Sequence, residues 1–457
     1  MKVFLYVMDA LRPDYLSCYN PAETTSPNLK EFCQDATKFE NAYSTTTWTK
    51  PAAASLLTGR YPRETGTIHQ LDAFPDFEFT LPSELSAAGY ETHCISSNLF
   101  VSEQFGFGDF DSIDVLQYDQ SLHGRRKSLK DPGKQEKQML EEVGVDDMIV
   151  PLSEDIHARV KDAIGKQADE FFLLWSIDTH GPYFVRGESS YNGNDKSDFI
   201  FEKDIDKSNM DHVKDLYRDM IRYNDEQFGN FISYLREEGM YDDSLIITIA
   251  DHGESFGDHS KFPGYPIFGH TDIVYEECIR IPMMVKYPNG YARGQTIDQP
   301  VQITDIYPTV LDVLDESIQA NNLSGHSLYK SDIAVDRPIF VESQITPSSI
   351  YSGAIRQGKY KYIKIDKPLL TGDGIANFSR SLVRRLWEPQ TRLYNLEDDP
   401  NEQTNLNSRE RTKTTALAEE FDDMRCTLER ASVSDEQEQA DITAERKEQL
   451  RLLGYSE

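Results

Sequence analysis

Cysteine is sparse and scattered. The five thiols, Cys18, Cys33, Cys94, Cys278 and Cys426, are odd in number and contain no CxxC pair. That argues against a disulfide framework or a structural zinc cluster and fits a reducing compartment. Long apolar runs are lacking too. The opening stretch MKVFLYVMDALRPDY breaks at Asp9 and Arg12, too early for a signal h-region or a membrane span, and no later stretch approaches the roughly 20 apolar residues a span needs. The expectation is a soluble, cytoplasmic protein. Cations are also in short supply: 47 Lys plus Arg against 78 Asp plus Glu leave a net charge of −31. Affinity for phosphate backbones comes mainly from clustered cations, so nucleic acid is excluded as a partner class. The acidity itself reads as solubility or as adaptation to a salty cytoplasm.

What is present is enough for a large folded body. A chain of 457 residues, 38% of them hydrophobic, corresponds to about two to three domains with a sizeable core. Short β-branched or aromatic runs alternate with longer helical patterns, which predicts an α/β fold with a mostly parallel central sheet flanked by helices. Strands are expected at Val3 to Met8, Glu91 to Ser96, Phe171 to Ile177, Leu245 to Ala250 and Met283 to Lys286. Helices are expected at 27–36, 51–59, 81–88, 153–168 and 210–238, the first capped by Ser26 before Pro27 and the second by Thr49 before Pro51. The charged stretch from Gln117 to Asp147, with Arg125, Arg126 and Lys127, reads as a surface loop in preference to a lid. Beyond about residue 345 the texture changes to the pair AIRQGKYKYIKI and RLYNLEDDP, then to a tail in which Leu417, Phe421, Met424 and Leu428 recur at helical spacing. The division is therefore a catalytic α/β domain over 1–345 and a smaller C-terminal α+β domain over 346–457. Oligomeric state is not encoded in any visible pattern.

The chemistry follows the strands. Asp9, Asn98, Asp178 with His180, and Asp251 with His252 each come directly after a strand. Ligands of open parallel sheets bind outside the carboxyl ends of the strands, so these groups can converge. A lone Asp there is more often a turn residue or helix cap; four in register outweigh that reading. Two carboxylates, an imidazole and a hydroxyl make a mixed oxygen and nitrogen shell for one or two divalent cations, and Zn or Mn suits it better than Ca. The hydroxyl candidate is Thr49, at a helix N-terminus that would stabilise an anion. Activated by the cation, it would serve as a nucleophile.

These residues resemble a known family. TKPAAASLLTGRYPRETG is similar to the nucleophile signature of sulfatases, IADHGESFGDH to their DHGE metal motif, and DTHGPY to their HxPY motif. FGHTDIVYEECIRIPMMVKYP, GKYKYIKI, LYNLEDDPNEQTNL and LRLLGY continue the match in order to the C-terminus. The resemblance implies the alkaline phosphatase superfamily and a sulfatase-like fold. It also exposes departures. Sulfatases convert a Cys or Ser at the nucleophile position into formylglycine, and Thr49 cannot be so converted. The motif's Arg is Ala53, and the second Asp of the usual pair is Ala10.

A metal shell of Asp9, Thr49, Asp251 and His252 instead resembles the threonine-using phosphodiesterases, phosphonate esterases and phosphoglycerol transferases of the superfamily. By the same resemblance Asn98 takes the place of the usual anion-contacting lysine. His180 and His270 match positions that touch the ester oxygens or, with Asp178, hold a second metal. His259 and Lys261 are candidates for substrate contact or leaving-group protonation, with a solvated loop as the competing reading. The expected activity is metal-dependent hydrolysis of a phosphate or sulfate ester through Thr49, phosphodiester or phosphonate type favoured. The alternatives are a phospho-head-group transferase and a sulfate ester hydrolase working without formylglycine. The substrate is a small anionic ester from a source such as a glycan or a lipid.

Overall fold

A computed structural model of the chain describes residues 1–116, 152–184, 200, 204–316, 320, 323–366 and 390–431, apart from 76, 78, 167, 263, 264 and 272. The expected loop from 117 to 147, with its Arg125–Lys127 cluster, and the terminal LRLLGY lie outside the described residues, as does most of 186–209.

Among the described residues the main sheet has nine strands. In chain order they are β1 (Lys2–Met8), β2 (Thr37–Tyr43), β3 (Glu91–Ser96), β4 (Ser112–Val115), β5 (Glu170–Ser176), β6 (Leu245–Ile249), with β7 (Ser255–Phe262) and β8 (Tyr265–Gly269) forming a separate hairpin, then β9 (Arg280–Lys286), β10 (Thr296–Ile297) and β11 (Val301–Gln302). Their spatial order is β10-β2-β9-β6-β1-β5-β3-β4, with β11 also on β2. From β6 to β4 every pairing is parallel, and β9 is antiparallel to both β6 and β2. The central strands have no polar alternation for a reason. In KVFLYVM of β1 and EFFLLWS of β5 all seven residues are buried, as strands covered on both faces must be. The five expected strands are present within one to three residues at their ends. The short and more polar β2, β4 and β7–β8 carry no such apolar run and escaped the sequence reading.

Among the described residues seven helices longer than a single turn pack around this frame: α1 (Pro27–Phe32), α2 (Thr49–Thr58), α3 (Leu81–Ala87), α4 (Ser153–Ala163), α5 (Met210–Glu237), α6 (Ile306–Val313) and α7 (Arg411–Arg430). The longest, α5, buries Val213, Leu216, Tyr217, Met220 and then Phe228, Phe231, Ile232 and Leu235, the three-and-four spacing of an amphipathic face. Two expected caps are corrected. Ser26 precedes α1 but makes no side-chain cap; its hydroxyl accepts from the Ser17 amide at 2.8 Å. The free amides of α1 are taken by a residue of α5: the Asp225 carboxylate accepts from Asn28 N at 3.0 Å and Leu29 N at 2.8 Å. Thr49 is the first residue of α2 and not its cap, a place occupied by Trp48.

The C-terminal part is a four-stranded antiparallel sheet, β12 (Ile339–Ser343), β13 (Tyr351–Gln357), β14 (Tyr360–Asp366) and β15 (Thr391–Asn395), in that order. It recruits one strand from before residue 346, so the change of architecture comes slightly earlier than the change of texture. Helix α7 lays Leu417, Phe421 and Leu428 on Phe340, Ile355, Tyr362 and Leu393, which is the face its sequence spacing indicated. The two sheets are joined by charge as well as packing: Arg63, after α2, forms a fork on Glu342 of β12, with Nη2 to Oε2 at 2.5 Å.

Replacing Asp225 by Ala removes both cap acceptors of α1 at once, and a thermal or denaturant unfolding series should show a loss of about 1–2 kcal/mol. Asp225→Asn, which keeps an acceptor oxygen, should lose less.

Candidate active site

Four parallel strands, β6, β1, β5 and β3, lie side by side, so the residues that follow them share one edge of the sheet. Asp9 follows β1 immediately and is the hub. Its Oδ2 accepts from Asn98 Nδ2 at 2.6 Å and from Trp175 Nε1 at 3.0 Å, and lies 3.4 Å from the Thr49 hydroxyl. Asn98 also donates to Thr49 Oγ1 at 3.2 Å. The Asp9 carbonyl accepts from the Thr179 hydroxyl. Asn98, after β3, and Trp175, on β5, are thus pinned to the first strand by one carboxylate oxygen.

The other oxygen, Asp9 Oδ1, faces His252 Nε2 at 3.5 Å, and the same ring nitrogen stands 3.4 Å from Asp251 Oδ2. All three side chains are fully buried. The His252 Nδ1–H donates to the Gly253 carbonyl at 2.8 Å, so Nε2 is left with its lone pair toward the two carboxylates. Among the described residues Asp9 Oδ1, Asp251 Oδ2 and His252 Nε2 have no hydrogen-bond partner. Burial, with the neighbouring His270, pulls His252 down to about 3, and burial with the Asp9 charge pushes Asp251 well above the usual carboxylate range. A neutral imidazole lone pair facing two buried carboxyl groups, whose mutual repulsion a positive charge would relieve, forms a donor set suited to a divalent cation. The three ligand atoms lie within 4.8 Å of one another.

The backbone is shaped to this purpose. Ala10 adopts the left-handed conformation, φ 56°, uncommon for a non-glycine residue and concentrated at functional sites. There its amide donates to Asp251 Oδ1 at 3.1 Å and its carbonyl accepts from Tyr217 at 2.7 Å. Gly253 is required by proximity, since a Cβ there would meet the Glu277 carbonyl at 2.0 Å.

Thr49 opens α2, all ten residues of which are buried and whose N-terminus has no side-chain cap. Its first amides are therefore available to an anion. Lys50, beside the nucleophile candidate, is turned away. Its ammonium donates to the carbonyls of His69 at 2.7 Å, Gln70 at 2.8 Å and Asp72, and burial lowers it to about 7.

Three imidazoles crowd the same region, with ring centroids of His180 and His270 5.2 Å apart and those of His252 and His270 4.3 Å apart. His180 Nδ1–H donates to the Gly181 carbonyl at 2.8 Å. His270 Nδ1 bonds the Glu254 carboxylate at 3.2 Å, and Tyr183 donates to the same carboxylate at 2.8 Å. Burial opposes the charge on Glu254, but the His270 ring and these hydrogen bonds overcome it and hold the group down at about 2.

The remaining candidates fall elsewhere. Asp178 accepts from the Ser153 amide at 3.2 Å, from the Ser153 hydroxyl, and from Asn224 Nδ2 at 3.1 Å. It caps the start of α4, and the cation clusters found among the described residues do not include it with His180 and His270. His259 lies flat on Tyr275, centroids 3.6 Å apart, with Nδ1 on Glu277 at 2.7 Å and Nε2 on the Glu402 carbonyl at 3.3 Å, a junction between hairpin β7–β8 and the C-terminal part. The Lys261 side chain lies outside the described residues. Sequence reasoning did not single out Trp175, Glu254 or Tyr183. Glu254 stood within DHGE and Tyr183 within DTHGPY, whereas Trp175 reads as one more apolar residue of a buried strand.

A family model described as Sulfatase matches residues 2–316. An arylsulfatase of Clostridium perfringens is 24% identical over 72% of this chain and 77% of its own length. The N-acetylglucosamine-6-O-sulfatase of Bacteroides thetaiotaomicron is 22% identical over 86% and 80%. A phosphonate monoester hydrolase of Agrobacterium radiobacter superposes with a TM-score of 0.66 at 18% identity, covering 93% of this chain and 96% of that one. A structure solved with D-glucosamine-2-N,6-O-disulfate superposes with a TM-score of 0.66 at 18% identity, over 95% and 99%.

The His259 junction supplies a test of its structural reading. Burial works against the imidazolium, but the Glu277 hydrogen bond and charge prevail and raise its pKa above the ordinary 6.5. A raised folded-state pKa contributes stability that is complete below the unfolded value and is lost as pH rises through the folded one. The stability advantage of wild type over His259→Gln should therefore shrink from pH 6 upward through the neutral to mildly alkaline range. An advantage that grows with pH in unfolding curves would contradict it.

Proposed function

The chain belongs to the sulfatase family, whose members hydrolyse sulfate and phosphate esters, and from that premise we propose a divalent-metal-dependent ester hydrolase with Thr49 as nucleophile. The carrying observation is the Thr49 hydroxyl held against Asp9 and Asn98 at the uncapped N-terminus of α2. Asp9, Asp251 and His252 would hold the cation, with Thr49 beside them; Zn or Mn fits two oxygens and an imidazole better than Ca. When bound, the cation supplies positive charge that lowers the pKa of the nucleophile and neutralises the ester oxygens.

The residues of the chain do the rest. Thr49 Oγ1 loses its proton to solvent and forms a bond to the phosphorus or sulfur, the bond to the ester oxygen breaks as that oxygen takes a proton from His270 and departs as the alcohol, and the enzyme is left with a phosphorylated or sulfated threonine. Water then displaces Thr49 and the anion leaves. Asn98 Nδ2 orients Oγ1 and is placed to contact an ester oxygen, and the α2 amides face the charge that develops there. His270, backed by Glu254, has the arrangement of a general acid for the leaving alcohol, since a buried carboxylate on Nδ1 fixes the ring and stabilises its positive form. His180 contacts the same oxygens from the neighbouring loop.

Phosphodiesters or phosphonate esters are the favoured substrates, because a threonine can carry a phosphoryl group and cannot become the formylglycine that sulfate ester hydrolysis uses in relatives of the family. Phosphonate monoester hydrolases share the fold over nearly the whole chain, which is compatible with this preference. A second reading, sulfate ester hydrolysis directly through threonine, is favoured by the curated relatives, which include arylsulfatase, N-acetylglucosamine-6-O-sulfatase and choline-sulfatase.

Turnover of an aryl phosphodiester, a phosphonate monoester, a phosphomonoester and an aryl sulfate, each with added Mn or Zn, should rank the phosphodiester or phosphonate first; a sulfate preference would select the second reading. Thr49→Ala should lower kcat at least about a thousandfold, and retained activity would sink the nucleophile assignment. Chelation should abolish turnover, and Asp251→Asn should weaken metal affinity. Glu254→Gln should lower kcat about 10- to 100-fold with little change in KM and shift the basic limb of the pH profile. With an acceptor alcohol present, a hydrolase gives chiefly the water product; dominant transfer to the alcohol would mark a transferase.

A further inference from the structure

The sheet edge opposite the catalytic one, where the parallel strands begin, carries a second convergence of ligand-type side chains. Glu91 opens β3, Glu170 opens β5 and Lys2 opens β1, and the register sets Glu170 beside both of the others. His93 is two residues further along β3 and therefore on the same face as Glu91. Its ring lies on that of Phe172, centroids 4.5 Å apart, and its Nδ1 shares a 2.7 Å hydrogen bond with Ser112 Oγ of β4. His93 Nε2 stands 4.0 Å from Glu170 Oε1. Among the described residues that nitrogen has no hydrogen-bond partner, although His93 is only 4% exposed. One donor atom each from Glu91, His93 and Glu170 lies within 4.8 Å of the other two. Glu170 is buried and Glu91 is exposed, so solvent reaches the group past Glu91.

We propose that Glu91, His93 and Glu170 form a site for a divalent cation of the zinc class, separate from the Asp9–Asp251–His252 cluster, that ties β3 to β5 at the edge remote from the ester chemistry. A buried ring nitrogen without a partner is costly, and a cation shared with the two carboxylates satisfies it. A serine hydroxyl accepts as readily as it donates, so Nδ1–H can donate to Ser112 and leave Nε2 its lone pair. The same bond fixes the ring, as the outer partners of metal-ligating histidines do. Glu170 is held in place from two sides. Lys2 Nζ donates to its Oε2 and to the carbonyls of Gly165 and Ala168, the last at 2.6 Å. The Gly165 amide takes one lone pair of Oε1 at 2.8 Å, and the other faces the cation. Two carboxylates against the one Lys2 ammonium leave a negative charge uncompensated. The donor set decides the class: Mg and Ca take oxygen, whereas zinc accepts two carboxylates and an imidazole, with water in the fourth position. Bonds of about 2.1 Å at tetrahedral angles separate ligand atoms by about 3.4 Å. His93 and Glu170 must therefore close by about 0.6 Å, while the exposed Glu91 carboxylate swings onto the ion.

The test uses the full chain, stripped with a chelator and titrated with zinc against a chromophoric competitor. It is run in the Asp251→Asn background, which removes a ligand of the catalytic-edge cluster, so that zinc bound there does not mask the second site. Asp251→Asn should still take up one equivalent of zinc. Adding His93→Gln should abolish that uptake, with affinity falling at least about a hundredfold, the upper end of what loss of an outer partner alone costs. Adding Glu91→Gln instead, at an exposed position that folding tolerates, should weaken binding at least about tenfold, which keeps the test decisive if the His93 variant fails to fold. Glu91→Gln in the otherwise wild-type chain should leave ester turnover unchanged, so this result stands apart from the fate of Thr49 as nucleophile. Equal zinc affinity with and without Glu91→Gln would overturn the site. So would an Asp251→Asn chain that binds no zinc, since all of the metal would then belong to the catalytic edge.

Discussion

The structure is organised around two carboxyl groups and an imidazole buried against one another. Asp9 and Asp251 are both fully buried, and the imidazole between them presents a lone pair, because its only proton is committed to the Gly253 carbonyl. Burying unpaired carboxylates is costly. The surroundings answer part of that cost with donors: Asn98, Trp175 and the amides of Ala10 and His252 all point at these oxygens. One oxygen of each carboxylate and one ring nitrogen are left over, and they face one another. These atoms could hold a divalent cation, and in the proposed function its positive charge would draw an anionic ester toward Thr49.

Much of the remaining architecture keeps that cluster dry and in register. Asp9 reaches across the sheet through Asn98 and Trp175, so a shift of β3 or β5 relative to β1 would break the hub. The all-buried helix α2 brings the nucleophile candidate to the same edge and points its amides there. Glu254 acts at one remove, fixing a ring of the imidazole group while bonded to Tyr183 from the neighbouring loop. The C-terminal sheet contributes from outside, through the Arg63–Glu342 fork and the stacked His259–Tyr275 junction. The acidity of the chain, −31 overall, need not oppose the anionic substrate of the proposed reaction, because the α2 amides and a cation held by Asp9, Asp251 and His252 would set the local potential there.

The fold and the hub were legible in advance for a simple reason. Parallel, doubly covered strands must be continuously apolar, so β1, β5 and β6 announce themselves, and the polar residue that ends each run is conspicuous. Asp9, Asn98, Asp251 and His252 were found this way, and the structure brings all four together. Asp178 looks the same in sequence and differs only in its neighbours: Ser153 and Asn224, brought in by α4 and α5, occupy its oxygens. Trp175 was invisible because its ring sits in a run of apolar residues, and only the position of Asp9 makes its N–H matter. His259 lies in a polar stretch that reads as a loop, while its role depends on Glu277 and Glu402, 18 and 143 residues away.

The sequence by itself determined the α/β class, the strand ends on which chemistry is carried, the threonine at the nucleophile position and the family resemblance, because these are set by local periodicity and by contiguous motifs. Tertiary structure alone decided which strand-end carboxylates face a common centre, which ring nitrogen carries a lone pair, and that α1 is capped by Asp225 from a helix far along the chain. Those outcomes depend on hydrogen-bond partners supplied by distant segments, and no local pattern encodes where a distant segment will pack.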